Sequence, residues 1–279
     1  MRAALYTTFA LVAFAFNSIL CRMALRGGEA DAAGFTLVRL ASGAVTLVII
    51  SYFLGKQKNN TGRGNWFSAF FLFAYAICFS FAYLGLTAGT GALILFGAVQ
   101  LTMIAYAIIR GERPHILEWI GLAAAVSGLV YLVLPGLAAP PLTNSLLMAA
   151  AGAAWAFYTL RGRGSTAPLA DTTGNFIRSV PMIAIAAVPF YRSINLSSTG
   201  FELAALSGAV ASGVGYTIWY AALKFHTATR AAALQLSVPV IAAGLGIALL
   251  AESATTRLAI ASTLILGGIL IVIIARRRS

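Results

Sequence analysis

Apolar runs close to twenty residues long recur from one end of this chain to the other, separated by short polar turns, and they limit its fold more tightly than anything else in it. A helix needs about 20 apolar residues to cross some 30 Å of hydrocarbon. Ten such spans can be drawn, at roughly 3–21, 32–54, 66–86, 90–110, 116–134, 142–160, 173–191, 203–223, 231–250 and 258–275. In lipid every backbone N–H and C=O must be satisfied internally, so runs of this length become helices. Composition agrees. Charged residues make up 9% of the chain, against about 25% in a soluble domain. The expectation is an all-α membrane protein with ten transmembrane helices in one domain over residues 1–279.

The spans are not independent. The stretch from Gly89 to Leu95 returns 139 residues later as Ala228 to Leu234. Tyr83-Leu84-Gly85-Leu86 is answered by Tyr220-Ala221-Ala222-Leu223, Glu112 by Glu252, and Arg39 by Arg178. Self-similarity at a long period reads as two copies of one unit, here 1–137 and 138–279. Five spans per copy is an odd number, so the second copy runs inverted relative to the first. Inverted repeats are an architecture of secondary transporters, whose substrate site lies near the midplane between the repeats.

Lysine and arginine set the orientation. With ten spans both termini share a side. That side collects Arg2, Lys56, Lys58, Arg63, Arg110, Arg113, Arg161, Arg163, Lys224, Arg230 and Arg276 to Arg278, whereas the other side holds Arg22, Arg26, Arg192 and Arg257. Cytoplasmic loops carry the excess, so both termini are expected in the cytoplasm. The same asymmetry accounts for the net charge of +12, and no nucleic-acid partner is expected; the bilayer and a small-molecule substrate are. Cys21 and Cys78 sit inside apolar runs and read as small buried hydrophobes. The first run is followed by Asn17 and Arg22 where a signal peptide would carry a small-residue cleavage site, so it reads as an uncleaved first span.

Polar and aromatic side chains at membrane depth are the candidate site. Tyr75, Phe79 and Tyr83 fall four residues apart on the third span, one stripe on one face. The eighth span answers with Ser212, Tyr216 and Tyr220, beside Trp219. Phe14 and Asn17 on the first span are matched by Trp155 and Tyr158 on the sixth, and Phe96 and Gln100 on the fourth by Gln235 and Pro239 on the ninth. Belt tyrosines at the interface and plain interhelical hydrogen bonds are the alternatives to a substrate-lined pore. A proline inside the ninth span would free a backbone carbonyl at depth. Arg39 and Arg178 are candidates for gating or charge recognition, although a long arginine can also snorkel to the nearer interface. On the eighth span Gly208/Ser212, Ala209/Gly213 and Ala211/Gly215 form small-residue pairs four apart, suited to close helix packing.

All seven acidic residues lie in loops or at span ends, and neither His115 nor His226 is deep. No carboxylate pair or hydrolase, zinc or phosphate-loop motif is present, so no catalytic residue, metal or cofactor is expected. Glu112 and Glu252 stand near Arg113 and Arg257, where pairing or capping is the expected task. Without a deep titratable group, movement of substrate down its own gradient is expected, as a uniporter or exchanger.

The doubled pattern resembles the drug/metabolite transporter superfamily in its ten-helix EamA-type branch. The resemblance is carried by Ala13-Phe14-Ala15-Phe16-Asn17 and its partner Ala153-Ala154-Trp155-Ala156-Phe157-Tyr158, by the paired arginines of spans 2 and 7, and by Glu112 and Glu252. Within that branch the chain is similar to bacterial exporters of aromatic amino acids and paraquat-like compounds, and departs from many relatives at Asn17. The resemblance implies a central cavity formed mainly by spans 1, 3, 4, 6, 8 and 9. It also implies export of amino acids and related metabolites across the inner membrane by alternating access, by a protein working as a monomer. Exchange of phosphorylated metabolites is the alternative within the superfamily, and a membrane-embedded transferase the alternative outside it.

Overall fold

In the computed structural model the residues described are 2–54, 64–111, 114–136, 139–162, 165–226, 231 and 234–275. Among them are ten helices: α1 (Arg2–Arg26), α2 (Ala32–Leu54), α3 (Trp66–Ala82), α4 (Ala88–Ile109), α5 (Ile116–Val133), α6 (Leu142–Gly162), α7 (Pro168–Ala187), α8 (Ser198–Leu223), α9 (Ser237–Leu250) and α10 (Thr256–Ala275). β-pairing among these residues is limited to one isolated bridge, Ala30 with Leu196. Seven helices (α1, α2, α4, α5, α7 with the short turn after it, α8 and α10) are long and apolar enough to cross a membrane, and α3 and α9 are apolar but shorter. Lys56, Lys58, Arg63, Glu112, Arg113, Arg163, Arg230 and Arg276 to Arg278, used above for orientation and repeat matching, lie outside the described residues, as do Ala228 and Thr229 of the second repeat motif.

Side chains stop and start these helices. Asn65 accepts from Ser68 N at 2.9 Å to open α3, Thr87 caps α4, and His115 with Glu118 forms a reciprocal capping box on α5. Each cap satisfies an orphan N–H of the first turn. The third span ends at Ala82 rather than 86, because the backbone turns there, with Leu86 N bonding Ala82 O at 3.2 Å.

Two helices differ from the regular spans expected. Between Ser207 and Val214, α8 winds as a π-helix. Ser212 Oγ donates to Ser207 O, five residues back, at 2.9 Å. The small residues facing α2 are therefore Gly208 and Gly213, five apart rather than four. A Cβ on Gly208 would lie 2.0 Å from Arg39 O, and one on Gly213 3.0 Å from the Thr46 methyl. The wider turn keeps both glycines on α2, where four-residue spacing would rotate one away. In α9 the expected continuous span is interrupted by a turn at Leu236, so Pro239 stands in the first turn of the helix and not in its interior. A proline has no N–H to give its i−4 carbonyl and crowds it. Here that carbonyl belongs to Gln235, which lies just across the turn.

The two halves interleave. α5 packs along α10, α6 against both α3 and α4, α7 on α2, and α9 between α4 and α1. Backbones touch where side chains vanish: a Cβ on Gly121 would lie 2.5 Å from Gly268 O, and one on Gly152 2.6 Å from Leu95 O. At one end of the bundle Arg22 donates to Tyr83 O at 2.8 Å, and Asn144 of α6 donates to Phe81 O of the same turn at 3.1 Å. Asp31 and Asn195 tie the α1–α2 turn to the α7–α8 turn there. At the other end Asp171 accepts from Gly64 N at 3.0 Å, Asn175 from Asn65 N at 2.9 Å, and Thr7 meets His226 at 2.7 Å.

Candidate functional site

Where the halves meet in the middle of the bundle, side chains from five helices and the turn before α9 enclose a narrow cleft. Its lining is Phe14, Asn17 and Ser18 of α1, Tyr75 and Phe79 of α3, Leu95 and Phe96 of α4, Trp155 of α6, Ala211 and Tyr216 of α8, and Gln235. The free space between them is about 20 Å³, roughly what one water needs. The walls are a connected set of rings. Trp155 lies 4.9 Å from Tyr75 and 5.2 Å from Tyr216, centroid to centroid, and Phe14 meets Tyr216 edge-on at 5.7 Å. Such pairs are worth about 0.5–1.5 kcal/mol each beyond their burial.

One polar chain runs through this apolar wall. Ser207 Oγ donates to Asn17 Oδ1 at 2.5 Å, and Asn17 Nδ2 donates to the Tyr75 hydroxyl at 3.3 Å. Arg39 Nη2 donates to the same hydroxyl at 3.0 Å. The Arg39 guanidinium carbon lies 4.9 Å from the centre of the Phe79 ring and 5.2 Å from that of Tyr75. Arg39 is 1% exposed, so it does not snorkel. Its helix cannot swing it out, because α8 sits directly on its backbone at Gly208.

Of the residues singled out from the sequence, Phe14, Asn17, Tyr75, Phe79, Phe96, Trp155, Tyr216 and Gln235 line this one cleft. The others stand around it. Tyr83 packs edge-on against Phe79 at 4.8 Å and hydrogen-bonds Ala88 O, and Trp219 backs Phe14 at 5.8 Å. Ser212 serves the wide turn of α8, and Pro239 and Gln100 are buried outside the lining. Tyr158 touches Trp155 but opens on a second, more polar cleft with Asp171, Thr172, Asn175 and Tyr220. Arg178, matched with Arg39 in the sequence, is half-buried, donates to Gly174 O at 2.9 Å and lies over Trp66. The two arginines are thus not equivalent. Ser18, Leu95 and Ala211 also line the cleft and were not among the expected site residues. Ser18 and Leu95 adjoin the expected Asn17 and Phe96, and Ala211 belongs to the small-residue row, so none carries a ligand signal of its own.

Beside the cleft Tyr83 packs on Phe79, and Arg22, which donates to Tyr83 O, pairs with Glu252. Glu252 accepts from Ala88 N at 2.9 and 3.1 Å and faces Arg22 Nε at 3.5 Å. The expected partner, Arg257, instead lies over the Tyr131 ring at 5.5 Å. The left-handed turn at Ala251 points Glu252 back toward the start of α4, away from the next helix.

Sequence and fold comparisons bear on this bundle. Residues 143–274 match the EamA-like transporter family. A protein of Pseudomonas aeruginosa, described only as uncharacterized, is 46% identical over 275 residues, covering 99% of this chain and 96% of its own. A protein of Archaeoglobus fulgidus named as an uncharacterized transporter is 28% identical over 240 residues, 82% of this chain and 84% of its own. A crystal structure superposes with a TM-score of 0.69 over 99% of this chain and 97% of that one, at 18% identity, which speaks to the fold alone. A bundle of apolar helices packed around a closed midline cleft, with relatives matching along nearly its whole length, is a multi-pass membrane protein, and the chain belongs to the EamA-like transporter family.

Proposed function

We propose that the protein is a secondary carrier that exports amino acids with aromatic or apolar side chains, and related metabolites, across the bacterial inner membrane by alternating access. The observation that carries this reading is the cleft itself. Rings from both halves converge on it, and Asn17 and Gln235 add amides to an otherwise apolar wall. Rings take an apolar side chain, and amides complement the polar end of a small zwitterion.

The same reading takes the chain as two inverted five-helix repeats, 1–137 and 138–279, with both termini cytoplasmic. Two facts support it. The end of α1 and the start of α6 both reach the α3–α4 turn, which sets the two leading helices antiparallel. The family match of 143–274 spans one repeat. The chain works as a monomer on this reading, since the cleft is complete within it. The test is counterflow in proteoliposomes, with labelled phenylalanine, leucine, a nucleoside and a sugar phosphate. Accumulation of labelled phenylalanine against unlabelled phenylalanine inside is expected; accumulation of the sugar phosphate alone sinks the amino-acid reading in favour of the phosphorylated-metabolite exchanger.

A further inference from the structure

Arg39 is a fixed positive charge with no counter-charge beside it among the described residues. Arginine stays protonated in any protein environment, so burial cannot be relieved by releasing the proton. Its Nη2 is used on Tyr75, but Nε and Nη1 are buried without a hydrogen-bond partner. Among the described residues the carboxylates are engaged elsewhere or exposed. Glu29 bonds Ser197, Asp31 caps α2, Glu118 caps α5, Asp171 holds Gly64 and Ser165, Glu252 faces Arg22, and Glu202 is exposed. A buried charge is ordinarily paired, and leaving one unpaired at membrane depth is expensive.

The geometry says where the missing anion would sit. Tyr75 lines the cleft, and its oxygen already accepts from both Arg39 and Asn17. Both acceptor sites are therefore occupied, and what the hydroxyl has left to offer is its own proton. A phenol that accepts a charged donor also becomes a stronger donor itself. The cation, moreover, lies against the two α3 rings that face the cleft, within a low-dielectric wall that screens it poorly.

We infer that Arg39 is the anion-selecting residue of the central cleft, and that the group it selects is the carboxylate of the substrate, which accepts from the Tyr75 hydroxyl with Arg39 behind it. This rests on the cleft being the substrate site. Arg39 acts here as a positioning and charge-setting residue, one side chain removed from the ligand.

The test compares a carboxylate with its neutral amide. Wild-type protein should favour phenylalanine over phenylalaninamide in counterflow by at least about tenfold, the span of one charge-assisted hydrogen bond. In Arg39→Gln that ratio should fall toward one, whereas Arg39→Lys keeps most of it. A ratio unchanged in Arg39→Gln overturns the inference. Melting of the wild-type protein in detergent needs no variant: benzoate should stabilise it and benzamide should not, with the benzoate effect lost in Arg39→Gln. Stabilisation by inorganic phosphate but not by benzoate would overturn the carboxylate assignment. If no amino acid is moved and yet benzoate stabilises wild type alone, the amino-acid reading fails and the anion site stands. If phenylalanine and its amide are moved alike, the anion site fails and carrier activity stands.

Discussion

Glu252 and Trp155 carry the clearest consequences of single-residue change. Glu252 is 6% exposed and its partner Arg22 14%, so Glu252→Gln leaves the amide bonds to Ala88 possible but strips Arg22 of its counter-charge. Removing one member of a buried pair costs about 3 kcal/mol; denaturant melts in detergent should show a loss of that size, and an unchanged midpoint would mean that the pair contributes nothing. Trp155 touches Tyr75, Tyr158 and Tyr216 at 4.9–5.4 Å between centroids. Trp155→Ala should raise the phenylalanine concentration for half-maximal counterflow about tenfold, equivalent to ~1.4 kcal/mol, while leucine suffers less. Equal losses for both would mean that the indole packs the bundle and does not contact the ligand's ring. Spacing alone made the α3 stripe legible, because i and i+4 positions share a face whatever surrounds them, and Trp155 was legible as the repeat counterpart of Phe14. The pairing of Glu252 with Arg22 was not legible. It spans 230 residues and depends on a left-handed turn at Ala251 that an alanine does not advertise.

At the scale of helices, hydropathy reveals that a span exists but not how its backbone winds. The π stretch of α8 and the turn at Leu236 both lie inside spans whose overall apolar character reads as one continuous helix. The burial of Arg39 follows from the same hidden detail. Whether an arginine one third of the way along a span snorkels depends on what packs against it, and the answer is a glycine 169 positions away. By contrast, α5 and α10 contribute nothing to the cleft lining and meet each other through Gly121 and Gly268. Gly121→Val forces these backbones apart, at about 1–3 kcal/mol. It should lower the melting temperature while leaving the half-saturating phenylalanine concentration unchanged. A shifted half-saturation would show that this pair moves with the site.

For the molecule as a whole, orientation rests on charge asymmetry, much of it on residues outside the described ones, and is open to direct test. A phosphatase reporter fused after Ser279 should be inactive and a fluorescent reporter bright; an active phosphatase would reverse the assignment. The cleft has a further, kinetic meaning. Space for about one water cannot admit an amino acid, so on the carrier reading proposed above binding requires a different arrangement of the same helices, and each encounter would wait for it. Mixed rapidly with rising phenylalanine, the protein should report binding through its tryptophans, among them Trp155 in the wall and Trp219 behind Phe14. The observed rate should then level off at the frequency with which the walls part. That plateau, and not the strength of the contacts once made, would set how fast the empty carrier can be loaded.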